Sequence, residues 1–167
     1  MDEVAGPRSA LTFNGPLEAG VRLVAILGAA FPQAFDIERL TAYDYLLVHT
    51  QQLGGPADLH PPAPIQAPMT EVRRKVIQSA LMLMMTRDLV TRDVQTTGIR
   101  YRAGETASLF LDSLQSSYLR ELKMRASWLV RYLEGFNDVQ FRALMDELFE
   151  SWVVEFQAVE RSLGAEQ

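Results

Sequence analysis

Apolar side chains recur every three or four positions along most of this chain, which is the spacing of helices that bury one face. The spacing predicts a first helix over residues 17–31, ended by Pro32, whose ring cannot continue a helix. A second helix is predicted over residues 37–49, and the carboxylate of Asp36 is expected to cap its first N–H groups. The apolar face of the first helix is wide, so we expect that helix to be buried on much of its circumference.

The third predicted helix, residues 70–88 with Thr70 as its cap, leads directly into two short segments in which apolar and polar residues alternate. These segments, residues 89–95 and 99–102, flank a turn at residues 96–98 that ends in glycine. Alternation on both sides of such a turn predicts a β-hairpin. A helix that runs straight into a hairpin is the core of a winged-helix domain, a module that grips nucleic acid backbones or docks onto other proteins.

Residues 51–69 interrupt the helical pattern and hold five of the eight prolines of the chain, so no regular structure is expected there. A loop of this length is uncommon in a compact domain and is often functional or a contact surface. It could equally be a passive strap over the core.

Three more helices are predicted after the hairpin. A short one covers residues 105–114, and a longer one covers residues 117–133, with Gly135 at a typical C-terminal position. Asn137 and Gln140 resemble the capping box of a last helix. The short connection predicts that the last two helices pack antiparallel.

The sequence therefore predicts a mainly α fold in three parts. Residues 1–12 form a flexible N-terminal tail, and residues 13–104 form the winged-helix domain, with three helices and a hairpin as its wing. Residues 105–167 form an antiparallel helical extension.

Composition narrows the setting. The chain has no cysteine, which excludes disulfides, thiolate metal sites and cysteine nucleophiles. The acidic N-terminus does not resemble a signal peptide, and the longest apolar stretch, residues 21–31, contains Arg22 and is too short to cross a bilayer. We expect a cytoplasmic protein that does not associate with membranes.

The charge is distributed unevenly along the chain. The net charge is −4 over residues 1–70, +4 over residues 71–102 and −5 over residues 103–167. The third helix and the hairpin thus form a basic island, the part through which an acidic protein can approach phosphates. Mixed charge that merely keeps a surface solvated is the alternative interpretation.

The candidate DNA contacts are the basic residues at the start of the third helix and on the hairpin. Strand alternation places Arg100 and Arg102 on one face of the hairpin and Ile99 and Tyr101 on the other. Such residues suit phosphate contacts, which give affinity without sequence information, and few amide side chains are present to recognise bases. The six candidates are Arg73, Arg74, Lys75, Arg92, Arg100 and Arg102.

The candidate contacts with a partner protein lie on the third helix and in the proline-rich loop. Residues 80–85 are apolar all round, so they are either covered by the C-terminal helices or exposed to a partner. Methionine suits adaptable interfaces, although it also fills ordinary cores. The candidates are Met82, Met85, His60, Pro61 and Pro62.

The sequence contains no recognised catalytic or metal-binding pattern. His49 and His60 without cysteine cannot complete a four-ligand zinc site unless carboxylates contribute, and no recognised spacing links them, so structural roles are favoured for both. We find no phosphate-binding glycine loop, no nucleophile elbow and no acid–base pair. The expectation is a protein that is not an enzyme, with no cofactor, no metal and no small-molecule substrate.

Four strings carry a resemblance to a known family. They are FNGPLEAG at residues 13–20, YDYLLVH at 43–49, LHPP at 59–62, and the hairpin at 89–101. Together they resemble the middle component of ABC-three-component systems, the small accessory subunit of Lamassu-type antiphage defence. The similarity runs from about residue 13 to 156, and the segment before Phe13 has no recognised counterpart.

The resemblance implies a non-enzymatic subunit that works with a large ATPase of the SMC/Rad50 class and with an effector, often a nuclease. It is similar to winged-helix accessory proteins that bind SMC complexes near their heads. We therefore predict a subunit that bridges the SMC/Rad50-like ABC ATPase and the effector of one system, with non-specific contacts to double-stranded DNA. The alternative is a stand-alone winged-helix transcription regulator that acts as a homodimer through its C-terminal helices.

Overall fold

A computed structural model of the protein describes residues 15–61 and 71–148. These residues are mainly helical and contain one antiparallel two-stranded hairpin, which confirms the predicted mainly α fold. The elements are α1 (Pro16–Ala30), α2 (Ile37–Val48), a 3₁₀ helix (Thr50–Leu53), α3 (Glu71–Met85), β1 (Val90–Gln95), β2 (Gly98–Ala103), α4 (Ala107–Ser113), α5 (Ser117–Leu133), and α6, which begins at residue 138 and is described to residue 148.

Helix α1 is the centre of the core. Its residues Leu23, Val24, Ile26 and Leu27 are fully buried, which confirms the expected wide apolar face. Helices α3 and α5 both pack against it, and α2 packs against all three. Burial of each of these four side chains contributes about 1.5–3 kcal/mol to the free energy of folding relative to exposure. Helix α1 therefore stabilises the packing of all the helices around it.

Two of the predicted N-terminal caps are formed as expected. Asp36 Oδ1 accepts a hydrogen bond of 2.8 Å from the backbone N–H of Arg39 at the start of α2. Asn137 and Gln140 exchange two hydrogen bonds, of 2.8 and 3.0 Å, which is the reciprocal pattern of a capping box. The predicted cap of α3, Thr70, lies outside the described residues.

Helix α3 ends three residues earlier than predicted. The prediction extended it to Asp88, whereas the helix ends at Met85 and Asp88 has a left-handed φ of 58°. A non-glycine residue rarely takes this conformation within a helix. The chain therefore reverses at Asp88, and β1 begins at Val90, one residue later than predicted.

The hairpin turn is shorter than predicted. The expected three-residue turn is a two-residue turn, Thr96 and Thr97, because Gln95 already pairs with Gly98. Gly98 has φ of 134°, a conformation that glycine adopts without strain. The outer edge of β2 also pairs with the linker between α1 and α2. There, Phe35 and Tyr101 exchange backbone hydrogen bonds of 2.9 and 2.8 Å.

The start of the proline-rich loop and the end of α5 also differ from the prediction. The loop predicted to lack regular structure begins with a 3₁₀ helix, so that residues 51–53 are regular. Gly135 does not take the left-handed conformation of a helix-ending glycine, and α5 ends at Leu133 with Glu134 still in a right-handed conformation. The N-terminal tail, the second half of the proline-rich loop and the end of the C-terminal extension lie outside the described residues. Within the described ranges, no helix is long and apolar enough to span a bilayer.

Candidate functional site

The outward face of α3 combines basic and apolar side chains. Lys75 and Met82 are both exposed, Met82 to 65%. They are seven residues apart, which places them on the same side of the helix two turns from each other. Arg74 is exposed on the flank of this face. The predicted DNA contacts and the predicted partner contact on α3 therefore share one surface, which we call the α3 face (Arg74, Lys75 and Met82).

Arg73 does not belong to the α3 face. Its Nη2 donates a hydrogen bond of 2.9 Å to Asp44 Oδ2, and its guanidinium lies 5.5 Å from the centre of the Tyr45 ring. The side chain is largely buried between α2 and α3. Of the three basic residues at the start of this helix, Arg73 thus points into the fold, whereas Arg74 and Lys75 are exposed to solvent.

The hairpin arginines lie on two different faces. Directly opposed residues of an antiparallel pair share a face, and Arg92 is opposite Tyr101 while Val94 is opposite Ile99. Arg100 is opposite Asp93 on the other side of the ribbon. The predicted separation of Arg100 and Arg102 from Ile99 and Tyr101 is thus confirmed, and the register adds that Arg92 shares the face of Tyr101.

Arg100 and Arg102 have different surroundings. Arg102 Nε donates a hydrogen bond of 3.0 Å to Asp93 Oδ2, its diagonal neighbour on the other strand. Arg100 lines an open groove of about 510 Å³ together with Arg39 and Arg142. The three hairpin arginines therefore do not form a single patch.

The first half of the proline-rich loop is held in place by buried side chains. Arg125 of α5 donates hydrogen bonds of 3.0 and 2.8 Å to the carbonyl oxygen of Ala57. Thr50 Oγ1 donates a bond of 2.7 Å to the carbonyl oxygen of Pro56. The Trp128 ring packs so closely on Gly55 that a Cβ there would lie 2.5 Å from it. Residues 55–57 are thus fixed against α5 and the 3₁₀ helix.

Two histidines complete the attachment of this loop. His49 Nδ1 lies 3.4 Å from Asp58 Oδ2, and burial lowers the pKa of His49 although Asp58 opposes the shift. His60 Nε2 lies 2.8 Å from the Tyr118 hydroxyl. Burial, together with the positive charges of Arg22 and other neighbours, lowers the pKa of His60 to about 4. Both rings therefore pack in their neutral form at pH 7, in agreement with the structural roles favoured from the sequence.

The proposed partner contacts are placed unequally. Met82 is exposed, whereas Met85 is half-buried against the core. His60 is half-buried against α5, Pro61 is exposed, and Pro62 lies outside the described residues. Among these candidates, Met82 and Pro61 have the accessibility that a contact with another protein requires.

A buried charge cluster joins α1, α2 and α3, and the sequence analysis did not identify it. The carboxylate of Asp44 accepts bonds of 2.6 and 3.3 Å from Arg22 and a bond of 2.9 Å from Arg73. Burial alone would lower the pKa of Arg22, but the carboxylate of Asp44 more than offsets this, and the pKa is raised. The available signal was an arginine and an aspartate, each within an apolar helical run.

The stability of the protein should depend on pH through His60. Since its folded pKa of about 4 lies below the ordinary value of 6.5, the unfolded chain binds a proton more readily between these values. The free energy of unfolding should therefore fall as the pH is lowered from about 6.5 towards 4. Chemical denaturation across this range measures the slope, and His60→Gln, which keeps a partner for Tyr118, should show a shallower slope. Equal slopes in both proteins would contradict this assignment.

Within residues 15–61 and 71–148, no three His, Asp or Glu side chains come together as metal ligands would.

Comparison with known proteins gives a match to a protein family. The profile of the family described as ABC-three component system Middle Component 2 matches residues 12–155. These limits agree within one residue at each end with the span of the resemblance noted in the sequence. No curated protein and no solved structure matches significantly. The chain therefore belongs to the Middle Component 2 family of ABC-three component systems.

Proposed function

We propose that this protein is a non-enzymatic accessory subunit that bridges an SMC/Rad50-like ABC ATPase and an effector of the nuclease type in a Lamassu-type antiphage complex. The observation that carries the proposal is the family match over residues 12–155, because a middle component works with other components of the same system. The ATPase and the effector are the partners that the sequence resemblance implies.

The arrangement of elements supports a winged-helix architecture for this subunit. Three α-helices of the described residues precede the hairpin, and α3 leads into β1 through a short turn. The pairing of Phe35 with Tyr101 ties the linker between α1 and α2 to the outer edge of β2. An isolated two-stranded hairpin is only marginally stable in water. Pairing with a third short segment therefore stabilises the wing.

We assign contact with a partner protein to the α3 face. Met82 is a large apolar side chain exposed among polar ones, and methionine adapts to irregular surfaces. Arg74 and Lys75 lie beside it and can pair with carboxylates of a partner or with phosphates of DNA. DNA contact through this face and through Arg92 would be non-specific, because basic side chains that contact phosphates do not distinguish bases.

Several titratable side chains bond to other groups of the fold, which favours a structural role for them over a catalytic one. His49, His60, Asp44 and Asp58 each bond to another group of the fold and hold helices or the loop together. The groove lined by Arg39 and Arg100 combines charged side chains with the aromatic rings of Phe35, Phe136 and Phe141. Such a surface suits binding between macromolecules.

The test is co-purification of the full chain with the ATPase and effector of its own system. Met82→Glu should lower recovery of the complex at least roughly tenfold, since an uncompensated charge would be placed in the contact. Leu109→Glu on α4 is the matched control, because Leu109 is 75% exposed and lies on another element. If Met82→Glu assembles as well as the unaltered chain, the α3 face does not contact a partner protein. Failure of the unaltered chain to assemble would contradict the accessory role itself.

The alternative, a stand-alone winged-helix transcription regulator, stays a prediction. The purified full chain can be used to test it. It expects a symmetric dimer and tight binding to one promoter sequence. Binding that falls steeply with salt and does not distinguish sequences would count against it.

A further inference from the structure

The tip of the hairpin exposes a pair of apolar side chains. Val94 and Ile99 face each other across the strands, next to the turn, and are 72% and 44% exposed. On the same face, closer to the core, Val90 and Ala103 are buried, and Tyr101 packs against the core. The apolar face of the ribbon therefore continues beyond the body of the protein, where the described residues do not cover it.

Positive charge lies on both faces of the ribbon beside this pair. Arg92 shares the face of Val94 and Ile99, and Arg100 lies on the opposite face. Neither guanidinium has an ion-pair partner among the described residues. The acidic residue of the hairpin, Asp93, is neutralised by Arg102. Each face of the hairpin thus presents, next to the apolar tip, one arginine that can pair with an anion of a binding partner.

We propose that the hairpin tip is an apolar wedge that enters a groove of duplex nucleic acid and packs between adjacent base pairs. The wedge would be Val94 and Ile99, with Arg92 and Arg100 contacting the phosphates on either side. Proteins that bend or open a duplex insert apolar side chains between base steps while cations hold the backbone. This inference rests on the proposed DNA contacts and specifies their form.

Charge complementarity favours a duplex over a protein as the partner of the tip. A groove of a duplex is walled by the phosphates of two strands, so it presents negative charge to both faces of a ribbon that enters it. The tip also belongs to the basic part of an acidic chain, residues 71–102 with a net charge of +4. A protein partner would have to supply carboxylates on both sides of one narrow ribbon.

A wedge predicts a preference for distorted DNA. Insertion between base pairs must unstack them, and unstacking needs less free energy at a mismatched or unpaired position. The full chain, in its assembled complex, should therefore bind a duplex with a single mismatch about tenfold more tightly than the matched duplex. Sequence context should have little influence, because apolar packing between bases does not read their edges.

The experiment uses two duplexes, matched and singly mismatched, that carry 2-aminopurine, whose fluorescence rises when the base is unstacked. Binding is followed by anisotropy on the same samples. The unaltered protein should bind both, prefer the mismatch and raise the fluorescence. Val94→Thr with Ile99→Thr keeps β-branched side chains suited to a strand but removes apolar surface. This double variant should lose the fluorescence rise and the preference, and retain most of the affinity for matched duplex.

Two controls assign each outcome. Arg92→Glu with Arg100→Glu should weaken binding to both duplexes and reduce the salt dependence, because phosphate contacts are lost. Leu109→Gln, on α4, should change neither readout.

Binding without a fluorescence rise would overturn the wedge. A double threonine variant that behaves like the unaltered protein would also overturn it. Loss of complex assembly in that variant, with DNA binding unchanged, would also overturn it and assign the tip to protein. Absence of DNA binding would overturn the wedge but leave the accessory role, which co-purification tests separately.

Discussion

Replacement of Asp44 by alanine should lower the free energy of unfolding by about 3–5 kcal/mol, the range found when one partner of a buried ion pair is removed. The reason is that Asp44 is the shared acceptor of Arg22 and Arg73. Without it, the buried guanidinium of Arg22 would lose the carboxylate that balances its charge. The effect combines the lost hydrogen bonds with the loss of the carboxylate that contributes most to offsetting the desolvation of the Arg22 guanidinium. Urea denaturation followed by far-UV circular dichroism measures the change.

Asp138→Ala is the matched control for this prediction. Asp138 also pairs with an arginine, Arg39, at 3.0 Å, but its side chain is 91% exposed. An ion pair of this kind contributes only about 0–1 kcal/mol, because water already solvates the exposed carboxylate and the Arg39 guanidinium keeps its contact with the Phe141 ring. Similar losses for the two variants would show that the cluster at Asp44 does not behave as a buried one.

Replacement of Gly104 by alanine should destabilise the fold by about 1–3 kcal/mol or more through steric overlap. A Cβ at Gly104 would overlap the carbonyl oxygen of Asp88 and lie 2.8 Å from its carbonyl carbon. These are backbone atoms at the left-handed turn between α3 and β1, so they cannot move aside as a flexible side chain can. The strain falls where the hairpin joins the body of the protein, and thermal denaturation reports it.

Gly135→Ala provides the comparison within the same chain. Nothing lies within 4 Å of a Cβ at Gly135, and its backbone is not left-handed. Alanine there should be neutral or stabilising by about 0.4–1 kcal/mol, because it restricts the unfolded chain. Equal destabilisation by both alanines would refute the steric explanation for Gly104.

The elements of the fold were predictable because their signals are local. Helical spacing, the prolines and the capping residues act over a few positions, and Asp36 and the Asn137–Gln140 pair behave as their sequence context predicts. The error at the end of α3 arose because the apolar spacing does not reveal that Asp88 takes a left-handed conformation. A local pattern thus finds an element more reliably than it finds the element's end.

The surfaces were harder to predict, and the hairpin shows why. A three-residue turn would have paired Gln95 with Ile99 and placed Arg92 on the same face as Arg102. The two-residue turn shifts the register by one position, which moves Arg92 to the other face of the ribbon. A single residue of turn length therefore decides whether three arginines form one patch or two.

The charge cluster and the loop attachment depend on contacts that are distant in sequence. Asp44 is 22 residues from Arg22 and 29 from Arg73, and Arg125 is 68 residues from Ala57. A single sequence contains no pattern that links positions this far apart. For this reason Arg73 resembled a surface residue of a basic helix start, although it is directed towards Asp44.

We propose above all that this chain is a stoichiometric subunit of a complex with the other components of its system. The most direct measurement is the mass of the particle obtained when the full chain is co-expressed with the ATPase and the effector, determined by mass photometry of the purified sample. We expect one species that contains all three proteins in a fixed ratio and persists through gel filtration. A chain that elutes by itself, while the ATPase and effector associate without it, would show that it is not a subunit of the complex.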